Sequence, residues 1–333
     1  MLGTLMSRAL LQCFATALVS AAGASTYAAD TWKPSKPVTF IVANAAGGTG
    51  DRTVREMQRV VQAHRLLDVP IAIVNRPGGN GTIAMNQLAA SRGDAHVLLL
   101  ISGANLSAQI AGLTPYGHTD FSPITIIMDE YYGVNVRPDS PVASIGDMLN
   151  RLRKSPDALS LGTASLTGTN FTSLAAALKI GGVDVKRLKA VGFPGGAEIS
   201  MALLGGHIDV THTGLSNMAG HLIAGKMRTL VVTGPRRMWG PFANVPTWKE
   251  AGVDAVASSW RGLMGPQDLT SAQVAYWENV FRRIATSEEW KQDLKENYWV
   301  ENYSGAAETR RRLDAEYLEI KQIMTDLGMA KVK

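Results

Sequence analysis

Residues 38–55 read V-T-F-I-V-A-N-A-A-G-G-T-G-D-R-T-V-R, and this stretch carries the densest chemical signal in the chain. Val38, Phe40, Ile41 and Val42 predict a buried strand. Asn44, Ala46, Gly47, Gly48, Thr49 and Gly50 are too small to build packing of their own, so they predict a turn held open for something else. Asp51 then stands where a helix N-cap belongs, with Val54, Met57, Val60 and Val61 following at helical spacing. A glycine loop feeding a helix start exposes unpaired N–H groups under the positive end of the helix dipole, and that combination attracts anions. Asp51 has a second reading as a general base, but a cap accounts for it without chemistry.

The same composition returns at the ends of other apolar runs. Ser102, Gly103 and Asn105 follow one; Thr163, Ala164, Ser165, Thr167, Thr169 and Asn170 follow another. Phe193, Gly195 and Gly196 follow a third, and Ser216 lies in the loop 213–217 after a fourth. Loops of this kind offer backbone N–H and hydroxyl donors but almost no acids or bases. They suit recognition of an oxyanion and do not suit proton transfer, which needs placed titratable groups. There is no G-x-S-x-G nucleophile elbow, and residues 47–52 lack the lysine of a phosphate loop. The G-G-N-G-T at 78–82 follows Arg76-Pro77, a turn rather than a strand end, so it is not a dinucleotide fingerprint. His207 and His212 flank an expected strand at a spacing of five and would face opposite sides, which argues against a shared metal. No catalytic residue, metal or cofactor is expected. Arg261, beside Trp260, is the one cation placed to clamp a carboxylate, with a packed Trp and a surface or interdomain Arg as the alternative.

Strand and helix signals alternate along the chain and predict an α/β fold with mainly parallel sheets. Strands are expected at 70–74, 96–102, 123–136, 159–162, 190–193, 208–211 and 227–233. Helices are expected at 83–91, 145–154, 171–180 and 198–204, the last stopped by Gly205-Gly206. The final sixty or so residues read as amphipathic helix, anchored by Trp277, Phe281, Ile284, Trp290, Leu294, Tyr317, Ile320 and Met324. In open α/β sheets, ligands bind beyond the carboxyl ends of the strands, where the donor-rich loops fall.

Residues 1–29 resemble a secretory signal: Arg8 is their only charge, 9–24 is apolar, and small residues close the segment. The apolar run is short and alanine-rich for a membrane span, and an uncleaved anchor is the alternative. Cys13 is the only cysteine, so a mature chain would carry neither a disulfide nor thiol chemistry. The net charge of +5 is spread out, and aromatics are not interleaved with the basic clusters, which excludes nucleic acid as a partner. At 46% hydrophobic and 18% charged the whole sequence has a globular composition, and the part after residue 29 is long enough for two domains.

Eight segments in order resemble the exported substrate-binding receptors of tripartite tricarboxylate transporters, also called Bug-type receptors. They include A-G-G-T-G-D-R-T-V-R at 46–55, V-N-R-P-G-G-N-G at 74–81 and G-D-A-H-V-L-L-L at 93–100. S-P-I-T-I-I at 122–127 and F-P-G-G-A-E-I-S-M-A-L-L-G-G-H-I-D-V at 193–210 continue the series. A-G-K-M-R-T-L-V-V-T at 224–233, V-P-T-W-K-E-A-G-V-D at 245–254 and S-S-W-R-G-L-M-G-P at 258–266 complete it. The resemblance implies a type II periplasmic-binding-protein fold, two α/β lobes with the ligand cleft between them. Lobe one would hold 34–127 plus 257–333 and lobe two 132–256, with crossovers near 126–132 and 257–263. It implies that the loops at 44–51, 102–105, 163–170, 193–196 and 213–217 grip a carboxylate.

The implied function is that of a periplasmic receptor, not an enzyme. It would close over a small carboxylate and deliver it to membrane permease subunits. A ligand-presenting partner of a membrane sensor kinase is the alternative. Three positions depart from the family pattern. Gly50 replaces a bulky aromatic, Asn170-Phe171 replaces Asp-His, and Ala95-His96 replaces Gly-Tyr. The second change leaves room for a less polar or aromatic carboxylate.

Overall fold

In the computed structural model, residues 32–193 and 195–331 are described, and the expected export signal lies outside them. Three apolar runs with inward-facing aliphatics form the parallel strands β1 (Val38–Val42), β2 (Ile71–Asn75) and β3 (Val97–Ile101). They are joined by α1 (Thr49–Ala63) and α2 (Thr82–Ala89), and α3 (Gly103–Ile110) follows β3. β4 (Ser122–Glu130), β10 (Arg261–Gly265) and β11 (Trp299–Ser304) complete a six-stranded sheet of order β11-β4-β10-β3-β1-β2. A second sheet, ordered β7-β6-β8-β5-β9, holds β5 (Tyr132–Val136), β6 (Ser160–Thr163), β7 (Lys189–Gly192), β8 (Val210–Gly214) and β9 (Arg228–Val232). Its helices are α4 (Ile145–Lys154), α5 (Thr169–Ile180), α6 (Gly196–Leu204) and α7 (Leu215–Ile223). The result is a two-lobe α/β protein.

The sheets are mixed rather than mainly parallel. β2-β1-β3 and β7-β6-β8 are parallel triplets, and beside each lies one antiparallel strand, β10 and β5 respectively. Each of these strands arrives from the other lobe. It enters at the carboxyl ends of the triplet, where the cleft is, and can only run away from it. Tyr131 alone separates β4 in one sheet from β5 in the other. The second crossing, 257–260, pairs with the first. Glu130 and Ser259 exchange backbone hydrogen bonds at 3.2 and 2.6 Å, and Tyr131 bridges Ser258.

Other departures have local causes. α1 starts at Thr49 on Gly48, two residues before Asp51, so Asp51 is not the N-cap. The segments read as loops after Ser102 and after Thr213 coil at once into α3 and α7, because Leu106 and Ile110 of one, and Leu215, Met218 and Ala219 of the other, bury one helical face. His212 lies inside β8 and does not flank it. The C-terminal region is interrupted between α9 (Glu288–Glu296) and α10 (Ala306–Asp326) by β11, whose buried Trp299 pairs with Glu130 on β4.

The large aromatics hold the first lobe. On α8 (Ser271–Thr286), Trp277 is fully buried against Phe40 and Phe281, with ring centroids 6.2 and 5.9 Å away. Its Nε1–H donates to Ala95 O at 2.9 Å. Truncation here leaves a cavity and an unpaired carbonyl. Trp277→Ala is expected to cost about 3–5 kcal/mol, read as a lower denaturant midpoint with the slope unchanged.

Candidate functional site

Five helices, α1, α3, α5, α6 and α7, begin around one cavity of about 700 Å³ between the sheets. Four of the five N-cap positions are glycine, Gly48, Gly168, Gly195 and Gly214, and none of these helices has a side-chain cap. The fifth is Ser102. Uncapped helix starts leave N–H donors to be satisfied by water or a ligand, under the positive ends of their dipoles. The cavity is thus lined by donors from both lobes.

The structure brings most of the expected residues to this cavity. Asn44, Gly48 and Thr49 line it from the first loop, and Ser102 and Asn105 from α3. Ala164, Ser165, Thr169 and Asn170 line it from the second lobe, with Phe193, Gly195 and Gly196, and Arg261 lies at the crossing. Asn105 is 7% exposed; its Oδ1 accepts from Ser102 N at 2.9 Å, which leaves Nδ2 a buried donor with no partner among the described residues. Arg261 Nη1 donates to Ser259 O, Ser259 Oγ and Trp260 O at 3.2, 2.6 and 2.9 Å. Trp260 itself is buried, so the Trp-Arg pair divides into a core residue and a cleft residue.

The remaining expected residues stand behind the wall. Asp51 is buried; its Oδ2 accepts from Gly47 N and Arg55 Nε, both at 2.9 Å, and its Oδ1 accepts from Asn75 Nδ2 at 3.1 Å. Burial opposes its ionisation, but these donors outweigh it and hold the carboxyl below its ordinary pKa. Asp51 therefore shapes the 44–50 loop from behind. Ala46 and Gly47 lie in that loop without lining the cavity, and Gly47 takes φ +79°, which favours glycine. A Cβ on Gly50 would lie 2.2 Å from Asn44 Oδ1, so no larger residue fits while Asn44 holds its place. Thr163 is buried and Thr167 accepts from Asn80 Nδ2 at 3.0 Å across the lobes. Ser216 is engaged by Glu130 and Arg52. Phe171 is 3% exposed inside the second lobe and does not line the cleft, so it makes no aromatic floor. His96 does not line it either; it bonds Asp94 and Ser35.

Several lining residues are not among those the sequence assigns to the site. Pro77, Gly78, Asn80 and Gly81 come from the turn after β2, and Glu130, Tyr132 and Ser259 come from the two crossings. Tyr132 Oη meets Thr169 Oγ1 at 3.0 Å, and burial pushes its pKa up, so it serves as a neutral hydroxyl. A second cavity, about 730 Å³, lies along α5 and α10. Among the described residues no helix begins at it except through Thr169, which lines both cavities.

Gly103 lines neither cavity. A Cβ there would lie 2.5 Å from Thr169 Cγ2 of the opposite lobe and 2.8 Å from Glu316 Oε1. Gly103→Ala is therefore expected to hold the lobes apart. Ligand affinity should fall about tenfold with little change in the melting temperature of the empty protein, measured by titration calorimetry and thermal unfolding.

His212 lies under the cleft, its ring 4.9 Å from that of Tyr132. Nδ1–H donates to Asn170 O at 2.8 Å, while Nε2 is buried with no partner among the described residues. Desolvation pushes its pKa down to about 4. The unfolded chain thus binds this proton more readily, and stability is lost as pH falls from 6.5 to 4. The stability difference between wild type and His212→Gln should shrink by about 3 kcal/mol from pH 7 to pH 4, measured by chemical denaturation.

The family model described as "Tripartite tricarboxylate transporter family receptor" matches residues 54–329. The UPF0065 protein in the gbd 5′ region of Cupriavidus necator is 25% identical over 336 residues, covering 98% of both chains. Among solved structures, Rpa4515 of R. palustris with adipate superposes with a TM-score of 0.79 at 24% identity, covering 89% of this chain and 99% of that one. MatC of Rhodopseudomonas palustris, with bound malate, gives 0.71 at 21% identity, covering 89% and 100%. These two superpositions bear on the fold.

Proposed function

Since the chain belongs to the tripartite tricarboxylate transporter receptor family, we propose that it is an exported receptor that closes on a small carboxylate and hands it to a membrane permease. The observation that carries this reading is the ring of uncapped helix starts around the cavity, with Arg261 at its edge. Carboxylate oxygens are well matched to such donors, and charge-assisted N–H···O bonds are among the stronger ones. The site residues that would touch ligand are those that line the cavity, with Asn105 Nδ2 and the Arg261 guanidinium as side-chain donors. The adipate and malate held by the two solved relatives fit the same chemistry.

Closure would turn on the two crossings, with 34–127 and 257–333 on one side and 132–256 on the other. Asn80 to Thr167 and Arg52 to Ser216, at 3.0 and 3.3 Å, link the two sides and would be bonds of the closed form. A ligand that bridges both sets of loops favours that form by its differential contacts. Among the described residues no helix is long and apolar enough to cross a membrane, so docking on a permease would use the outer surface of the closed lobes. Export would remove residues 1–29 and place the receptor in the periplasm.

The test is thermal unfolding of residues 30–333 with aliphatic di- and tricarboxylates, aromatic carboxylates and their neutral amides. A true ligand at a hundredfold excess over its Kd should add about 2.7 kcal/mol to native stability, and its amide should add nothing. Arg261→Gln should weaken the binding at least about tenfold. Equal shifts with acid and amide would overturn the carboxylate reading.

A further inference from the structure

Glu130 is an acid in a cleft otherwise built for anions. It is 2% exposed, ends β4 and lines the cavity. Its Oε1 accepts from Ser216 N at 3.1 Å and from the Ser216 hydroxyl, which also accepts from Arg52 Nη2 at 3.3 Å. Gly214, the N-cap of α7, leaves the carboxyl room to lie there: a Cβ would stand 2.5 Å from Glu130 Cδ. One oxygen of Glu130 thus replaces the cap that α7 lacks. That structural role explains Oε1 and the glycine. It leaves Oε2, which among the described residues accepts no hydrogen bond.

Arg261 begins β10, directly after the second crossing, and lines the same cavity. Among the described residues the two make no ion pair, and each keeps hydrogen-bonding capacity beyond its protein contacts. One cavity wall therefore offers one cation and one acceptor that are not paired with each other, with Tyr132 also lining it. A simple dicarboxylate reaching this wall would bring an oxygen against Glu130 Oε2 with no proton between them, which costs affinity. A ligand with a donor at that point gains a charge-assisted bond instead.

Resting on the carboxylate reading above, we infer that Glu130 selects a carboxylate that also carries a hydrogen-bond donor, an ammonium or a hydroxyl group, on its carbon skeleton. The carboxylate would take the helix starts and Arg261, and the donor would take Glu130 Oε2.

Matched sets test this by calorimetry on ligand-stripped protein: succinate, malate and aspartate on one skeleton, adipate and 2-aminoadipate on another. Within whichever skeleton binds, the donor-bearing member should bind at least about tenfold tighter than its parent. Glu130→Gln keeps an oxygen for Ser216 and should bring that ratio close to one. A parent that binds as tightly as its hydroxy and amino derivatives overturns this inference and leaves the carboxylate reading standing. A preference that survives in Glu130→Gln also overturns it. If no member of either set and no carboxylate of the wider panel binds, both readings fall together. The wild-type ratio decides the matter even where the variant does not fold.

Discussion

A helix that begins on glycine leaves its leading N–H groups for the surroundings to satisfy, and four helices here begin that way around one space. Much of the local architecture serves this requirement. Small residues at 44–50 and 195–196 let backbone reach the cavity. The parallel triplets put the helix starts on the same side of each sheet, because in a parallel arrangement each following helix begins where its strand ends. Asp51, with three donors of its own, keeps the first loop in shape without entering the space it frames. One of the four starts is answered from within, by Glu130 on α7. The others are open, and the comparable cavity along α5 and α10 has no such ring of donors.

The loops of the site were legible because glycine, serine and threonine after an apolar run have few structural uses. Ser102, Asn105, Thr169, Asn170 and Gly196 all reached the cavity from such loops. Glu130 and Tyr132 were not legible, since they sit in S-P-I-T-I-I-M-D-E-Y-Y-G-V, which reads as one long strand region. Only the split of that run between two sheets turns its middle toward the cavity. Phe171 misled for a related reason: its place next to Asn170 suggested the cleft, but the first turn of α5 carries neighbouring side chains to different faces. β11 was lost inside a helical stretch because its pairing with β4 is a tertiary fact that no local period records. The mixed sheets had the same origin, since antiparallel entry of β5 and β10 follows from chain routing between lobes.

Titration also follows the routing. His212 on β8 and Glu316 on α10 are both buried, and burial moves both toward their neutral forms. His212 is held neutral with a pKa of about 4, while desolvation pushes Glu316, beside Trp260 and Arg312, up to about 7. The histidine favours the fold as pH rises from 4 to 6.5, and the glutamate disfavours it from 4.5 to 7. Over their shared range the two slopes oppose each other and flatten the response of the molecule to mild acid.

The paired crossings limit the ways this molecule can move. Had a single strand joined the lobes, they would swing and twist about a universal joint. Two segments bonded to each other at Glu130–Ser259 and Tyr131–Ser258 would act as a hinge pin. Twisting would shear those bonds, whereas bending about the pin spares them, so a single angle describes the whole excursion. The loops at the rim are then free to diverge over evolutionary time without retuning the mechanics, because the pin and the pocket wall are different parts of the chain except at Glu130, Tyr132, Ser259 and Arg261.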